Sequence, residues 1–487
     1  MRHSLLLRPA LLLLALFLTA DLGLAQARLG PGLLDELGAL APGQTTTVVV
    51  TFDSEGPLTA AQRSLLTGLG ITQGMTFQSL PIAGVLATPA QVASLQNTAG
   101  VVSIWPNHAL TYSNADATEL TGVDGARTNA QFRNLNGGLP ISGRGVGVVV
   151  NDSGIDGLHP DLTYGQNLVQ NVLGSTNLNA YSGLLPITYL EDQPSTDTNS
   201  GHGTHVAATV GGTGAASGGL HEGVAPGADL IGYGSGGVVL VLDGIGGIDY
   251  AMTHQFQYGI RIVTNSWGSS GDFDPADPIN QSSYRAYLRN ISVFFAAGND
   301  GPGADTHNPY AQAPWVMSVA AGNKDGETLA DFSSRGVDGE SGTFTMFDGT
   351  TWTYRNEPVI TAPGVGIISA CATGSPICAT GIQPDNPRYA SLQGTSMATP
   401  HVAGVAALMY EADPTLTPAE VRTILEETAT VLDYEAWEAG SGYVNAYAAV
   451  AVALGLDPTP YLRTIGEGEG ETPLPAGVVL VDDAGDT

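Results

Sequence analysis

Residues Gly394–Gly404 read GTSMATPHVAG, and an apolar run follows to Tyr410. The spacing predicts a long buried helix over Ser396–Glu411, with Ser396 in its first turn. The N-terminus of a helix offers free N–H groups and the positive end of the helix dipole, and both stabilise negative charge. A serine at this position is therefore a candidate nucleophile for a reaction that builds negative charge on a carbonyl oxygen.

Two further segments contain the residue types that such a serine requires. Val148–Asp156 (VVVNDSGID) puts Asp152 at the carboxyl end of an apolar strand, and Gly201–Val206 (GHGTHV) puts His202 between glycines. A serine hydroxyl is a weak nucleophile until an imidazole accepts its proton. The imidazole needs a carboxylate that fixes its tautomer and stabilises its protonated form. Asp152, His202 and Ser396 are therefore the candidate catalytic residues.

A fourth segment supplies a candidate donor for the oxyanion. Phe294–Gly301 (FFAAGNDG) ends an apolar strand at Asn299, whose side-chain amide is able to donate to a negatively charged oxygen. Glycines beside the histidine, the serine and the asparagine allow backbone and substrate to approach closely. Together the four segments predict acyl-transfer chemistry.

Short apolar strands alternate with helical patterns through most of the chain. The predicted strands are Gly145–Val150, Asp229–Tyr233, Arg261–Asn265 and Ile291–Ala297, and the predicted helices are Val241–Gln257, Gln281–Leu288, Ser396–Glu411, Pro418–Thr428 and Ala446–Leu454. The alternation predicts an α/β fold, a parallel sheet with helices on both faces. Between Thr45 and Trp105 the order β-α-β-β-α-β predicts a separate, small ferredoxin-like α+β module.

The catalytic motifs also have a characteristic order. Asp-Ser-Gly at Asp152, His-Gly-Thr-His at His202 and Gly-Thr-Ser-Met-Ala-Thr-Pro-His around Ser396 follow one another as Asp, His, Ser. In these motifs the chain resembles the subtilisin-like serine peptidases, over roughly residues 124–454. The resemblance implies a subtilisin-like fold and an endopeptidase that forms an acyl-enzyme. In this interpretation Asp152 orients, His202 is general base and acid, Ser396 is the nucleophile, and Asn299 donates to the oxyanion beside the Ser396 N–H.

The resemblance also implies the substrate, the cofactors and the residues that bind the substrate. Polypeptides are the implied substrates, and the chemistry requires no cofactor. Calcium at a structural site is an expectation from the resemblance alone, because no EF-hand type of ligand loop occurs, so no metal ligands are assigned. One segment would pair with the substrate backbone: Ser235, Gly236 and Gly237. Two others would form the pocket for the residue before the scissile bond: Ser266, Trp267 and Gly268, and Ala297 and Gly298. His205 and His401 are expected to be buried supporting residues.

The N-terminal module resembles the inhibitor-like propeptide of the same family. It would assist folding, cover the cleft with the strand-like stretch Val101–Leu110, and be cut away between about Asn107 and Thr121. The alternative is an unrelated small domain that stays attached. The predicted organisation is a signal peptide at 1–27, the propeptide at 45–110, the peptidase at 124–455 and an acidic extension at 456–487, with a polar, exposed linker over Tyr112–Asn136.

The first residues have the pattern of a secretory leader. Arg2 and Arg8 precede the apolar run Ala10–Leu18, and Ala25-Gln26-Ala27 is a small-residue cleavage site. The apolar run is short for a membrane span, although an uncleaved anchor is the alternative. We therefore expect a secreted, extracellular enzyme that has no membrane association once the leader is removed, and we expect a monomer.

Composition limits the partners. The chain has 46 acidic and 16 basic residues, a net charge of −30, so it repels phosphate backbones and nucleic acid is excluded as a partner. The acidity favours solubility or, alternatively, a preference for basic substrates. The aspartates of loop Gly271–Pro278 are expected to lie in a solvated loop, with a preference for basic substrates as the alternative. Cys371 and Cys378, the only cysteines, indicate a disulfide in an exported chain, with free thiols as the alternative. Thr343–Tyr354 predicts an inserted hairpin with a type I′ turn at Asp348-Gly349.

Three other functions compete with this prediction. A serine esterase of the α/β-hydrolase type requires G-x-S-x-G and the order Ser, acid, His, and the chain has neither. A sedolisin-type acid peptidase would have a glutamate in place of His202. A non-catalytic adhesin or inhibitor on a peptidase scaffold has no need for all four catalytic positions, which are filled here.

Overall fold

The computed structural model describes residues 26–463, apart from residues 31, 42, 108, 113–116, 175–182, 373, 384 and 385. Most of the predicted leader and of the acidic extension lie outside the described residues. Within the described part of the chain, no helix combines the length and the apolar character that crossing a bilayer requires.

The N-terminal unit contains five strands and three helices. They are β1 (Arg28–Leu29), α1 (Leu33–Ala39), β2 (Thr46–Phe52), α2 (Ala60–Gly68), β3 (Gly74–Thr76), β4 (Ile82–Ala87), α3 (Pro89–Gln96) and β5 (Val101–Pro106). Thr59 and Thr88 each form a capping box with the glutamine three residues on, which satisfies the free N–H groups where α2 and α3 begin.

The predicted ferredoxin-like arrangement is present in this unit. The spatial order β5-β2-β4-β3 is antiparallel throughout, as the β-α-β-β-α-β pattern requires. The sheet extends beyond that pattern on both sides. β1 pairs in parallel with β5, and a later strand, β9 (Leu184–Pro186), pairs in parallel with β3. Residues before position 45 and residues of the larger unit therefore both complete the N-terminal sheet.

The larger unit is built on a seven-stranded parallel sheet of order β18-β15-β14-β12-β7-β10-β8. Its strands are β7 (Gly147–Asp152), β8 (Leu168–Leu173), β10 (Asp229–Gly234), β12 (Ile260–Asn265), β14 (Ser292–Ala296), β15 (Val316–Gly322) and β18 (Ile360–Pro363). Shorter strands outside it are β6 (Ala109–Tyr112), β11 (Val239–Leu240), β13 (Trp267–Gly268), β16 (Ser341–Thr345), β17 (Thr351–Arg355), β19 (Ile367–Ala370) and β20 (Tyr389–Leu392).

Helices cover both faces of this sheet. They are α4 (Val123–Thr128), α5 (Ala130–Leu135), α6 (His202–Gly211), α7 (Val241–Thr253), α8 (Pro278–Tyr287), α9 (Thr395–Ala412), α10 (Pro418–Thr428), α11 (Ala436–Ala439) and α12 (Ala446–Ala453). Alternate side chains of β7 divide between the faces: Val148 and Val150 pack in the core with α6 and α9, and Val149 packs in the core with α7. The predicted α/β architecture, helices on both faces of a parallel sheet, is confirmed.

The predicted exposed linker over Tyr112–Asn136 is wrong. The stretch contains α4 and α5, whose residues Val123, Ala126 and Phe132 are buried. Phe132 makes edge-to-face contacts with Tyr447 and Tyr461. Each helix has only six residues, too few for an apolar period to be visible in a turn-rich sequence.

The inserted hairpin is confirmed, but its turn type is wrong. β16 and β17 pair with Thr345 opposite Thr351, which leaves a five-residue connection. Gly349 has a φ of 84°, whereas Asp348 has no positive φ, so a type I′ turn, which needs both, is ruled out. Asp348 instead accepts a hydrogen bond from the Thr350 N–H, and Gly349 takes the single left-handed position.

A buried carboxylate ties the C-terminal end of α9 to the start of β7. Glu411 Oε2 accepts from the N–H groups of Ser142, Gly143 and Arg144 at 2.6, 2.6 and 3.0 Å. Its Oε1 accepts from Asn136 Nδ2 and from the Arg144 guanidinium. Because three donors converge on one oxygen, this carboxylate attaches the helix to the loop before β7.

Glu411→Gln should destabilise the fold. A neutral amide accepts more weakly than a carboxylate, and we expect the free energy of unfolding to fall by about 2 kcal/mol, the size of a hydrogen bond to a charged group. Thermal unfolding measures the loss. Glu427→Gln, at an exposed position of α10, is the matched control and should unfold like the wild type. Equal melting temperatures for both variants would contradict the role given to Glu411.

Candidate active site

The candidate residues gather at the carboxyl edge of the parallel sheet, around β7. β10 lies on one side of β7 and β12 on the other, so the chain reverses its direction of winding at this strand. Such a reversal opens a crevice beyond the carboxyl ends of the strands, where α/β proteins bind ligands. Asp152 is the last residue of β7 and is buried.

His202 begins helix α6 and contacts Asp152 directly. Its Nδ1 donates to Asp152 Oδ1 at 2.6 Å, and both side chains are buried. The carboxylate is only an acceptor, so the proton lies on Nδ1 and leaves Nε2 as the basic nitrogen. Gly203 permits this approach, because a Cβ there would lie 2.2 Å from the Gly154 carbonyl oxygen and 3.0 Å from Asp152 Oδ1.

Asp197, which no sequence motif singled out, holds the first turn of α6. The N-cap of this helix is Gly201, which has no side chain to cap with. Asp197 takes that part: it accepts from the Gly201 N–H at 2.8 Å and from the N–H and hydroxyl of Thr204 at 3.2 and 2.6 Å. Burial raises the pKa of the Asp197 carboxyl, against the lowering effect of these donors. A carboxylate five residues before the histidine was the available sequence signal.

Ser396 lies in the first turn of α9, as predicted, and is buried. Its hydroxyl donates to the Ser266 carbonyl at 2.6 Å, and the Ser266 hydroxyl donates to the Ser396 carbonyl at 2.6 Å. Thr264 pairs with Val150, and Ser266 directly follows the carboxyl end of β12, the strand next to β7. This reciprocal contact therefore brings the serine to the edge of the sheet where the Asp152–His202 pair lies.

Asn299 is fixed by the same helix turn. Its Oδ1 accepts from the N–H of Thr395 at 2.9 Å and from the Thr395 hydroxyl at 3.1 Å. Thr395 also bonds to Gly298 in both directions. Because the amide oxygen is held by Thr395, the Nδ2 group is the part of Asn299 that is left to donate to a substrate oxygen.

An extended segment of the chain itself lies along the site. β6 is the middle strand of a three-stranded antiparallel sheet, between β11 and β13. Leu110 pairs with Val239, and Tyr112 pairs with Trp267. The segment thus runs next to Ser266, the residue whose carbonyl accepts from Ser396.

The predicted substrate-binding residues differ in what they contact. The N–H groups of Ser235 and Gly236 donate to the carbonyls of Asp152 and Ser153, while β11, the strand that pairs with β6, begins two residues after Gly237. The Trp267 indole is buried against Gly244 and donates to the Asn151 carbonyl at 2.7 Å. The backbone of residue 267, rather than its indole, therefore faces the added strand.

His205, His307 and His401 are also buried, and they are neutral. Burial lowers the pKa of His205 and His401 to about 3 and that of His307 to about 4. His205 bonds to the Ala390 carbonyl, His401 to the Thr121 hydroxyl, and His307 to Ser318. These contacts agree with supporting roles for His205 and His401; His307 lay outside the motifs.

Two other expectations concern cysteine and metal. Cys371 and Cys378 form a disulfide, and no cysteine among the described residues is free. The described residues contain no group of three or more His, Cys, Asp or Glu side chains placed to hold a metal ion.

This fold and site define a subtilisin-like serine peptidase, and the chain belongs to the subtilase family, whose model matches residues 143–444. It is 30% identical over 391 residues to serine protease AprX of Bacillus subtilis, covering 76% of this chain and 79% of that protein. It is 32% identical to subtilisin Savinase of Lederbergia lenta, covering 63% of this chain and 92% of that protein.

The same architecture occurs in a solved structure. Fervidolysin from Fervidobacterium pennivorans, a keratinolytic enzyme related to subtilisin, superposes with a TM-score of 0.60 at 23% identity. The match covers 88% of this chain and 63% of the fervidolysin chain. At this identity the likeness bears on the fold.

Asp197→Asn tests whether the first turn of α6 positions His202. An amide presents one acceptor oxygen where the carboxylate presents two, so the turn should loosen. We expect kcat/KM for a peptide substrate to fall by about 10- to 100-fold, since a shift of around 1 Å in a catalytic group has effects of this size. Asp338→Asn, at an exposed position, is the control. Wild-type kcat/KM in Asp197→Asn would refute the assignment.

Proposed function

We propose that this protein is a secreted serine endopeptidase with Asp152, His202 and Ser396 as its catalytic triad, made as a zymogen that processes itself. The observation that carries the proposal is the buried 2.6 Å contact between His202 Nδ1 and Asp152 at the sheet edge to which Ser396 is anchored. The leader pattern supports secretion, and so does the disulfide, which is typical of exported proteins.

The mechanism follows from the orientation of each group. His202 Nε2 accepts the proton of Ser396 as its oxygen attacks the scissile carbonyl. Asp152 stabilises the imidazolium that forms. The oxyanion accepts hydrogen bonds from Asn299 Nδ2 and from the Ser396 N–H. The tetrahedral intermediate collapses, His202 gives its proton to the leaving amine, and water activated by the same imidazole hydrolyses the acyl-enzyme. None of these steps requires a cofactor.

The oxyanion donor makes a large contribution in this chemistry. In a subtilisin, removal of a side-chain donor to the oxyanion lowers kcat by ~10²–10³-fold. That magnitude is a property of the subtilisin and does not follow from this structure. In this protein the geometry of Asn299 predicts only that removal of its side-chain amide lowers kcat. Because Thr395 bonds to Oδ1, Nδ2 is left as the donating group.

Ser396→Ala should reduce hydrolysis of casein and of a peptide substrate to background, because the variant lacks the hydroxyl proposed as the nucleophile. Labelling by a fluorophosphonate should disappear, and the chain should remain uncut between residues 107 and 121. Ser391→Ala on β20 is the matched control and should behave like the wild type. Residual Ser396-independent hydrolysis would identify a different nucleophile.

The N-terminal unit is proposed to inhibit the enzyme before it is removed. β6 follows this unit directly and lies between β11 and β13 as a substrate backbone would, by strand addition. A substrate is therefore excluded while β6 is in place.

A buried carboxylate of α7 supports the docking of this unit. Asp249 accepts from the N–H groups of Gln78 and Ser79 at 3.1 and 2.8 Å, and from the hydroxyls of Ser79 and Tyr189. Burial raises the pKa of Asp249, and the bonds from Ser79 oppose that rise. Three of the four donors come from the N-terminal unit, so its departure leaves this carboxylate largely without partners.

The acidic loop 271–278 also faces the N-terminal unit. Asp274 pairs with Arg28, which lies at the start of β1. Asp277 caps α8 through the Ile279 N–H, and burial raises its pKa to about 7, with Trp105 of β5 as one of the donors that oppose the rise. The expected solvated loop is wrong for Asp277, which is buried. These contacts favour docking of the unit as the role of the loop, over a preference for basic substrates.

Ser79→Ala should shorten the inhibited period after self-cleavage. The variant removes a hydroxyl donor to a buried carboxylate, which is worth about 1.5–3 kcal/mol. The released unit should therefore dissociate about 10- to 100-fold faster, since about 1.4 kcal/mol is a factor of ten. The measurement is the interval between the cut, followed by gel, and the appearance of peptidase activity, both in the full-length protein.

Ser94→Ala, on the exposed side of α3, is the control for that experiment. Both substitutions lie in the unit that is removed, so kcat/KM of the final enzyme should be identical in all three proteins. An unchanged interval for Ser79→Ala would count against docking through Asp249.

A further inference from the structure

Helix α6, which begins at His202, rests on the hairpin formed by β19 and β20. His205 bonds through Nε2 to the Ala390 carbonyl on β20 at 3.0 Å. Ser369 on β19 donates to the His205 carbonyl at 3.0 Å and accepts from the Thr209 hydroxyl at 3.2 Å. All of these groups are buried. The position of α6 is therefore set by this hairpin as well as by the parallel sheet.

The connection between β19 and β20 contains the disulfide. Cys371 follows β19 directly, and its N–H donates to the Arg388 carbonyl next to β20 at 2.7 Å. The bond to Cys378 closes residues 371–378 into a short ring, which we call the disulfide loop. Both cysteines are buried, with 4% and 2% of their surface exposed, so the disulfide itself lies in the interior.

The disulfide loop packs against the residues immediately before His202. A Cβ on Gly201 would lie 2.2 Å from Ser375 Oγ and 3.0 Å from Cys378 Sγ. The Ile377 N–H donates to the Ser200 carbonyl at 3.4 Å. Gly201 has a φ of 92°, a conformation that favours glycine, and glycine has no side chain with which to keep its place. The disulfide loop therefore supplies the atoms, from Ser375 and Cys378, that restrict the position of Gly201.

The Ser375 hydroxyl makes this contact without a hydrogen bond of its own. It is buried, and within the described part of the chain its Oγ has no hydrogen-bond partner. Burying an unpaired hydroxyl is unfavourable, so this serine is held against Gly201 by the loop around it. Closing the loop covalently limits the conformations in which that contact is lost.

We propose that the Cys371–Cys378 disulfide is a positioning device for His202: it holds Ser375 against Gly201 and so fixes the first turn of α6 for proton transfer. The proposal rests on the proposed function, because it assigns His202 the role of general base. It predicts that opening the disulfide lowers kcat while the enzyme stays folded and still binds its substrate.

The first test reduces the disulfide in the self-processed enzyme obtained from the full chain. A water-soluble phosphine reduces the bond with two electrons: the phosphine gains an oxygen atom from water to become the phosphine oxide, and the two protons of that water end on the two thiols. Thiol titration should then find two thiols per chain. We expect kcat to fall by about tenfold or more with KM changed less than about twofold, and fluorophosphonate labelling of Ser396 to slow in parallel.

The second test uses variants that cannot respond to reductant. Cys371→Ala combined with Cys378→Ala should have the reduced enzyme's low kcat with or without phosphine. Ser375→Gly keeps the disulfide but removes the contact with Gly201, and it should lower kcat by a similar factor. Ile424→Ala, on the buried face of α10, loses stability without touching α6 and should keep its kcat at 25 °C. It shows that a lower melting temperature alone is not the cause.

Each outcome either supports or contradicts the proposed role of the disulfide. Unchanged kcat and labelling in fully reduced enzyme would overturn the proposal, as would wild-type kcat in Ser375→Gly together with wild-type kcat in the double alanine variant. If the double variant does not fold, reduction of the wild type and Ser375→Gly still give the answer. Hydrolysis that is independent of Ser396 would instead refute the proposed function, and the two failures are thus distinguishable.

Discussion

The contact between His202 and Asp152 is the interaction on which the site depends, and it is demanding because it is buried. A carboxylate removed from water is stable only when it is hydrogen-bonded. Asp152 Oδ1 accepts from the imidazole and from the Ser153 N–H, 2.6 and 2.7 Å away. The close approach of α6 to the end of β7 makes the pair possible, and Gly203 is needed for it, since any side chain there meets the Gly154 carbonyl.

The remaining parts of the site are consequences of how the neighbouring helices are fixed. α9 is held at both ends: at its N-terminus Ser396 and Thr395 bond to Ser266 and Asn299, and at its C-terminus Glu411 collects three N–H groups before β7. A shift of this helix along its axis would therefore break polar contacts at two places. α6 has no cap of its own and takes its position from Asp197 on one side and from the β19–β20 hairpin on the other.

Local sequence patterns predicted most of the elements that carry chemistry. Pro418–Thr428 was predicted to the residue. The start of α9 was predicted to within one residue and the end of β7 to within two, because cap and strand-end chemistry is local. Three strands of the central sheet had no such signal. Leu168–Leu173 contains the buried polar pair Gln170 and Asn171, Val316–Gly322 is rich in small residues, and Ile360–Pro363 ends in a proline. Their burial comes from distant contacts that a local pattern does not record.

The same limit explains why part of the site escaped sequence prediction. Asp197 and the acidic loop 271–278 look alike in sequence, as carboxylates in polar stretches. The structure separates them by what lies opposite: Asp197 faces the N–H groups of α6, whereas Asp274 and Asp277 face Arg28 and Trp105. The role of a carboxylate is thus set by the residues that contact it from other parts of the chain. Strand addition between β11 and β13 uses backbone groups alone, so under the proposed function an inhibiting segment and a substrate would bind there alike. The contacts of Asp249 and the acidic loop would then distinguish the N-terminal unit from a substrate.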